Sequence, residues 1–259
     1  MLPVLFEIGP LTIYSFGVLM ATGFYVAASI TVADYRRRGG NPDQMWNLLV
    51  WVFVAGLVGS RLLSVANDLP GFFENPWREL VSGSGFVWYG GLIGGIVVAV
   101  PLSRYYHMRF STLADCTALG LPIGQAIGRL GCHVSGDGDW GTITDVPWGV
   151  AYKNAIVGWT YPPGINVHPT PIYEALAYTA VFAGLYAIRK RGLPAGTLFG
   201  LYLVGASTAR FFVEFIRINP RIVAGLTQSQ LIAVGLFAAG VVCLVRSRMT
   251  VGAVSEASS

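Results

Sequence analysis

Long apolar blocks recur seven times along the chain, at roughly residues 11–33, 45–66, 86–102, 111–128, 172–188, 195–216 and 229–245. A block of about 20 apolar residues is long enough to cross the hydrocarbon core of a bilayer. A helix on the surface of a soluble protein needs a polar face, and most of these blocks have none. Only 12% of the 259 residues are charged, against about a quarter in an ordinary soluble domain, while 54% are hydrophobic. The sequence therefore predicts an all-α, polytopic membrane protein with about seven transmembrane helices. Met1 to Pro10 carries no basic residue and the first apolar block is too long for a signal-peptide core, so that block is expected to remain as the first span.

The basic residues set an orientation. Arg36, Arg37, Arg38, Arg104, Arg109, Arg189, Lys190, Arg191, Arg246 and Arg248 follow spans one, three, five and seven, and so account for ten of the 17 Lys and Arg on one side. By the positive-inside rule the N-terminus is outside and the C-terminus cytoplasmic, as in a multi-pass protein of a bacterial inner membrane. The net charge of +4 follows from this topology. The basic residues form no patch with interleaved aromatics, so nucleic acid is not an expected partner.

The chain then reads as one membrane domain over 1–249, with an outer-face loop domain made of loops 67–85 and 129–171, and a polar cytoplasmic tail over 250–259 that is expected to be disordered. The first loop holds Phe72, Phe73 and Trp77, an aromatic mix suited to the membrane interface. The second holds Trp140, Trp148, Tyr152, Trp159 and Tyr161; a long loop of this kind is the expected place for chemistry. GGLIGG (Gly90 to Gly95) reads as a small-residue surface for close helix packing. Cys116, Cys132 and Cys243 suggest no disulfide pair, and no His/Cys spacing predicts a metal.

Polar residues inside the spans converge on the outer leaflet. Arg61 lies before the outer end of span two, Arg129 at the outer end of span four and Glu174 at the outer start of span five. Arg210, Glu214 and Arg217, spaced i, i+4, i+7, are expected on one face of span six. A charge at that depth costs a few kcal/mol on the mild insertion scale, roughly 2.5–3.5 kcal/mol at the centre of a span, so such residues are usually functional. Four arginines outnumber the two glutamates near them. The planar arginine fork suits phosphate, so an anionic lipid headgroup is the expected ligand.

These residues fall in motifs. GRLGCHVSGDGDWG (Gly128 to Gly141) resembles the signature of bacterial prolipoprotein diacylglyceryl transferases, written GRxGNFxNGExxG. YGGLIGG (Tyr89 to Gly95) resembles their HGGLIG, HPTPIYE (His168 to Glu174) their HPxQxYE, and RFFVEFIR (Arg210 to Arg217) their RxxxEFxR. The motifs occur in family order. The resemblance implies transfer of the diacylglyceryl group of phosphatidylglycerol to the lipobox cysteine thiol of preprolipoprotein signal peptides among the membrane lipids. It implies a thioether and glycerol 1-phosphate as products, and no cofactor. Carried over position by position, it makes Arg61, Arg129, Gly136, Glu174, Arg210, Glu214 and Arg217 candidates for binding substrate, with Arg129 and Arg210 on the phosphate.

The departures lie in the proton-handling half. Tyr89 stands for the family's histidine, Cys132 and Ser135 for its asparagines, Asp137 for its glutamate, Pro171 for its glutamine and Phe16 for a first-span tyrosine. Tyrosine titrates near 10 and cannot take a thiol proton at neutral pH. His133, Asp137, or an arginine field that lowers the thiol's pKa with Tyr89 only donating a hydrogen bond are the open alternatives. A related enzyme with another acceptor or anionic donor, and a non-enzymatic lipid-binding or transport protein, are the competing readings. A transporter would need polar groups running on into the cytoplasmic half, and the spans carry almost none there.

Overall fold

In the computed structural model, residues 1–9, 11–74, 76 and 87–256 are described. An antiparallel hairpin, β1 (Val4–Ile8) and β2 (Leu11–Tyr14), leads directly into helix α1 (Ser15–Arg37). The first helix thus starts four residues later than the apolar block and continues four residues beyond it, through Arg36 and Arg37. The chain goes on with α2 (Pro42–Asn67), the short α3 (Leu69–Glu74), α4 (Trp88–Tyr105), α5 (Phe110–Ser135), α6 (Thr170–Ile188) and α7 (Thr197–Val213). A 3-10 turn (Glu214–Ile216), a hairpin of β3 (Arg221–Val223) and β4 (Leu226–Thr227), and α8 (Gln228–Glu256) complete it. The last helix therefore runs well into the stretch from Thr250 read as a tail. Trp77 and most of the outer segment 67–85 fall outside the described residues.

Among the described residues five helical segments are long and apolar enough to cross a membrane: Ser15–Arg37, Pro42–Asn67, Thr170–Ile188, Thr197–Ile216 and Gln228–Met249. The third and fourth expected spans are the helices α4 and α5. Their apolar character is diluted, in α4 by four glycines, Pro101 and Arg104, and in α5 by Pro122, Gln125 and Arg129. Outward faces are apolar (Val54, Val58, Leu62, Val97, Val234 and Val241 are exposed), while Asp34, Asp115, Glu174, Glu214 and Gln230 are buried. That inversion of the soluble pattern is what a lipid solvent imposes. The chain is a multi-pass, predominantly helical membrane protein.

The chain packs as two compact units, Tyr35–Leu113 and Met1–Asp34 with Ala114–Ser259. In the first, α2 starts with Asn41 as N-cap, its Oδ1 accepting from the Asp43 amide at 2.9 Å, and with Pro42 at N1, where its missing N–H costs nothing. α2 and α4 then meet along a seam of small residues. A Cβ on Gly59 would run into the Gly90 carbonyl, one on Gly90 into the Gly59 carbonyl, and one on Gly94 into the Ala55 carbonyl. The small-residue reading of GGLIGG holds, with Ala55, Gly56 and Gly59 as the complementary face. In the second unit α1 packs on α5 in the same way: a Cβ on Gly120 would meet the Ala27 carbonyl and Thr31 Oγ1. Buried Asp115 on α5 caps α7, accepting from the amides of Gly196 (2.9 Å) and Phe199 (3.0 Å), donors that the helix N-terminus leaves unsatisfied.

Candidate active site

The site starts where α5 overruns its apolar block. Helical hydrogen bonds need no hydrophobic side chains, so the helix continues through Arg129, Cys132 and His133, residues that the hydropathy profile assigns to a loop. It stops at Gly136, whose φ of +65° is a left-handed C-terminal cap and whose added Cβ would lie 2.7 Å from the Ala155 Cα. The chain then runs to Gly141, where three of the motifs are stitched together by backbone. The Gly141 amide donates to the His168 carbonyl (2.8 Å), the Thr142 amide donates to the Ile216 carbonyl (2.8 Å), and Gly141 forms a β-bridge with Arg217. Thr170 Oγ1 donates to the Asp139 carbonyl. A Cβ on Gly141 would meet the Ile216 carbonyl at 2.5 Å, so this position requires glycine.

The stitching gathers three arginines and three carboxylates. Glu174, fully buried one turn into α6, is paired with Arg129 Nε (2.7 Å) and with Arg210, and lies 3.8 Å from Arg217 Nη1. Glu214 takes Arg210 Nη2 at 3.0 Å and Arg217 Nε at 3.5 Å, and accepts hydrogen bonds from Asn219 Nδ2 (2.6 Å) and Thr227 Oγ1 (2.9 Å). Asp139 pairs with both Arg129 and Arg217. Arg210 also donates to Ser229 Oγ on α8 at 2.9 Å. Among the described residues, Nε and Nη1 of buried Arg217 have no hydrogen-bond partner.

Two expectations are corrected by this geometry. Arg210, Glu214 and Arg217 do not share one helix face. α7 ends at Val213, Glu214–Ile216 is a 3-10 turn, and Arg217 is extended (φ −86°, ψ 157°). Arg217 reaches the same carboxylates because the chain folds back through its bridge to Gly141. The surplus of arginines also vanishes within this unit, since Asp139 makes the cluster three against three. Asp139, Ser229, Asn219 and Thr227 were not singled out in the sequence. For Asp139 the signal was available, because it is the second acid of the signature run.

Asp137, the acid aligned to the family's glutamate, does something else. Its Oδ1 accepts from the Asp139 amide (3.2 Å), and its carboxylate lies within 4.8 Å of Cys132 Sγ and of the Asp139 carboxylate. Burial raises the Asp137 pKa above the ordinary carboxylate value. Asp139 is also desolvated, but Arg217 and Arg129 overcome that cost and hold it below the ordinary value. Cys132, Asp137 and Asp139 are grouped closely enough to ligate a cation, yet Asp139 is committed to two arginines, whose charge opposes one.

His133 points elsewhere. Its Nδ1 is hydrogen-bonded to Tyr152 OH (2.9 Å) in an aromatic cluster with Trp140, Trp159 and Tyr161. This cluster accounts for the order expected of the second loop. Arg61 is buried on α2, and Tyr89 lies in the first turn of α4 with its side chain 44% exposed; both belong to the other compact unit.

Comparison with known proteins decides the family. Residues 3–246 match the family described as prolipoprotein diacylglyceryl transferase. The chain belongs to the prolipoprotein diacylglyceryl transferase family. A relative from Clostridium tetani, named phosphatidylglycerol–prolipoprotein diacylglyceryl transferase, is 30% identical over 90% of this chain and 92% of its own length. Relatives of the same name from a Nostoc species (31% identical, 92% and 86% covered) and Bacillus cytotoxicus (28%, 94% and 91%) agree. Against the 13 positions of the transferase signature, the run Gly128 to Gly141 has 14 residues. Counting from Gly128 puts Asp137 in the place of the family's acid, but the arginine contacts belong to Asp139.

Proposed function

We propose that this transferase-family chain moves the diacylglyceryl group of phosphatidylglycerol onto the lipobox cysteine of prolipoprotein signal peptides, in the outer leaflet of a bacterial cytoplasmic membrane, with its N-terminus outside. The observation that carries the reading is the cluster of Arg129, Arg210 and buried Arg217 around fully buried Glu174, assembled from three family motifs. In the reaction the cysteine sulfur attacks the glycerol carbon, the bond from that carbon to the phosphate oxygen breaks, and glycerol 1-phosphate leaves with the electron pair. Negative charge grows on the leaving phosphate, and cations fixed beforehand stabilise it without reorganising. Glu174, Glu214 and Asp139 do the fixing: each arginine of the cluster is paired with two or three of them, so the cations are held in place before the phosphate charge develops.

The thiol proton goes to Asp137 in this reading. Burial raises its carboxyl above the ordinary carboxylate value, which makes it the better proton acceptor of the two aspartates, and it sits beside the arginine-held Asp139. His133 is engaged with Tyr152 instead. The test is rescue of a transferase-depleted bacterium by this chain, with glycerol-labelled phosphatidylglycerol followed into a lipoprotein. Growth with label in the lipoprotein supports the reading, and no label in a membrane that contains the protein sinks it. Cysteines introduced at Asn154 and Gly192 test the orientation: an impermeant thiol reagent should label the first and not the second in intact spheroplasts.

A further inference from the structure

Next to the Arg210–Ser229 contact, α7 and α8 leave between them a groove of about 260 Å³, lined by Ser207, Thr208, Phe211, Phe212, Ala233, Val234 and Phe237. Farther inward the two helices are locked together, because a Cβ on Gly240 would meet the Gly200 carbonyl and Val204. The groove is therefore a wedge, closed at its inner end by the glycine contact and bounded above by the polar contact. Phe237 lies eight residues beyond Ser229, roughly 12 Å down the helix axis at ~1.5 Å per residue.

Its chemistry is apolar throughout. The two hydroxyls in its wall are spent on their own helix: Ser207 Oγ donates to the Leu203 and Val204 carbonyls, and Thr208 Oγ1 to the Val204 carbonyl at 2.7 Å. Ala233, 3% exposed, and Ser207, 4% exposed, form the floor; Phe212 and Phe237 stand exposed at the rim. A peptide helix is about 10–12 Å across and too wide for this space, whereas one hydrocarbon chain fits it.

We infer that this groove binds one acyl chain of the lipid whose phosphate is held at Arg210, and that Ala233 and Phe237 set the chain length accepted there. The inference rests on the transferase reading for the identity of that lipid. Ser229, which accepts from Arg210, shares one face of α8 with Ala233 and Phe237, four and eight residues on, so a lipid with its headgroup on the arginine has its chains level with the groove. A bulk membrane lipid could present the same chain, and the experiment separates the two.

Full-length protein in phosphatidylcholine vesicles is given trace phosphatidylglycerol, or trace phosphatidylethanolamine, each carrying the same photoactivatable acyl chain. After irradiation the labelled peptides are mapped. The proposal expects labelling at Phe211, Phe212 or Phe237 from the phosphatidylglycerol probe, at least about tenfold above the other probe, and its loss in Arg210→Gln. Equal labelling by both probes means an annular lipid and overturns it, as does labelling that a lipobox peptide abolishes by occupying the groove. Because this readout needs no turnover, it stands even if the transfer reaction fails. Where transfer is measured, Ala233→Leu should lower the rate ratio of 18-carbon to 14-carbon donors by about tenfold, the scale of a methylene-sized misfit in an apolar pocket. Phe237→Ala, at the exposed rim, should raise that ratio. Unchanged ratios in both variants would overturn the assignment of chain-length selection.

Discussion

The seam between α2 and α4 and the arginine cluster around Glu174 solve the same problem in opposite ways. In the seam two helices approach until Gly59 and Gly90 lie against each other's carbonyls, and the stabilising element is the absence of side chains. In the cluster, long charged side chains fill the space and six ionic groups neutralise one another. Hydrocarbon gives helices no hydrophobic drive to associate, so close backbone packing is the cheaper device. A buried ionic network is costly to build and is no sound device for stability alone. Stability alone does not account for it, and the phosphate grip proposed above would, whereas close packing accounts for the seam by itself.

The contrast breaks most severely at Glu174. Glu174→Ala strips the fully buried partner shared by Arg129, Arg210 and Arg217 and leaves three arginines against Asp139 and Glu214, an excess positive charge that costs about 3–5 kcal/mol. Its apparent melting temperature in detergent should fall well below wild type, and transfer should vanish; a wild-type melting curve would mean that the network is not a unit. Gly59→Leu attacks the other region. The added side chain must push α4 away, at a cost of about 1–3 kcal/mol, as overpacking generally does. This variant should melt lower while keeping the phosphatidylglycerol labelling of Phe211.

A smaller effect separates the two aspartates by pH. Asp139 is held below the ordinary carboxylate pKa, so its contribution to the fold is complete above about pH 4 and fades as pH falls through its lowered value. Asp137 is raised, so its contribution has the opposite sign, present at low pH and lost as pH climbs through the ordinary carboxylate value to the raised one. Asp139→Asn should therefore destabilise the protein at neutral pH, whereas Asp137→Asn should not, and Asp137→Asn should instead remove the acidic limb of the pH–rate profile. His133→Gln should leave that limb in place. Loss of the limb in His133→Gln and not in Asp137→Asn would return the proton to histidine.

Much of the scaffold was legible because lipid writes it plainly into sequence. Apolar blocks gave the helices, and the glycines of GGLIGG gave the seam. The hydropathy profile misplaced the end of α5, since Arg129 and His133 end an apolar run without ending a helix. The site was legible as a set of residue types and motifs, but not as a charge balance. Asp139 reaches Arg217 across 78 positions of sequence, and nothing in local spacing encodes that pairing. The run Gly128 to Gly141 carries two acids; position in the motif picks out Asp137, whereas the contacts to Arg129 and Arg217 belong to Asp139. Arg217 was assigned to a helix face on periodicity, whereas a 3-10 turn and the bridge to Gly141 bring it in.

The central claim is that the cluster exists to hold the phosphate of the donor lipid while its bond to glycerol breaks. It is tested most directly in proteoliposomes of phosphatidylglycerol, by following the mass of a lipobox peptide as it gains a diacylglyceryl group. Wild-type protein should modify the peptide. Arg210→Gln, at matched amounts of folded protein, should be slower by at least about 100-fold, the scale of losing one preorganised charge donor, and Arg210→Lys should recover little because it lacks the planar fork. Transfer at the wild-type rate in Arg210→Gln would contradict the account.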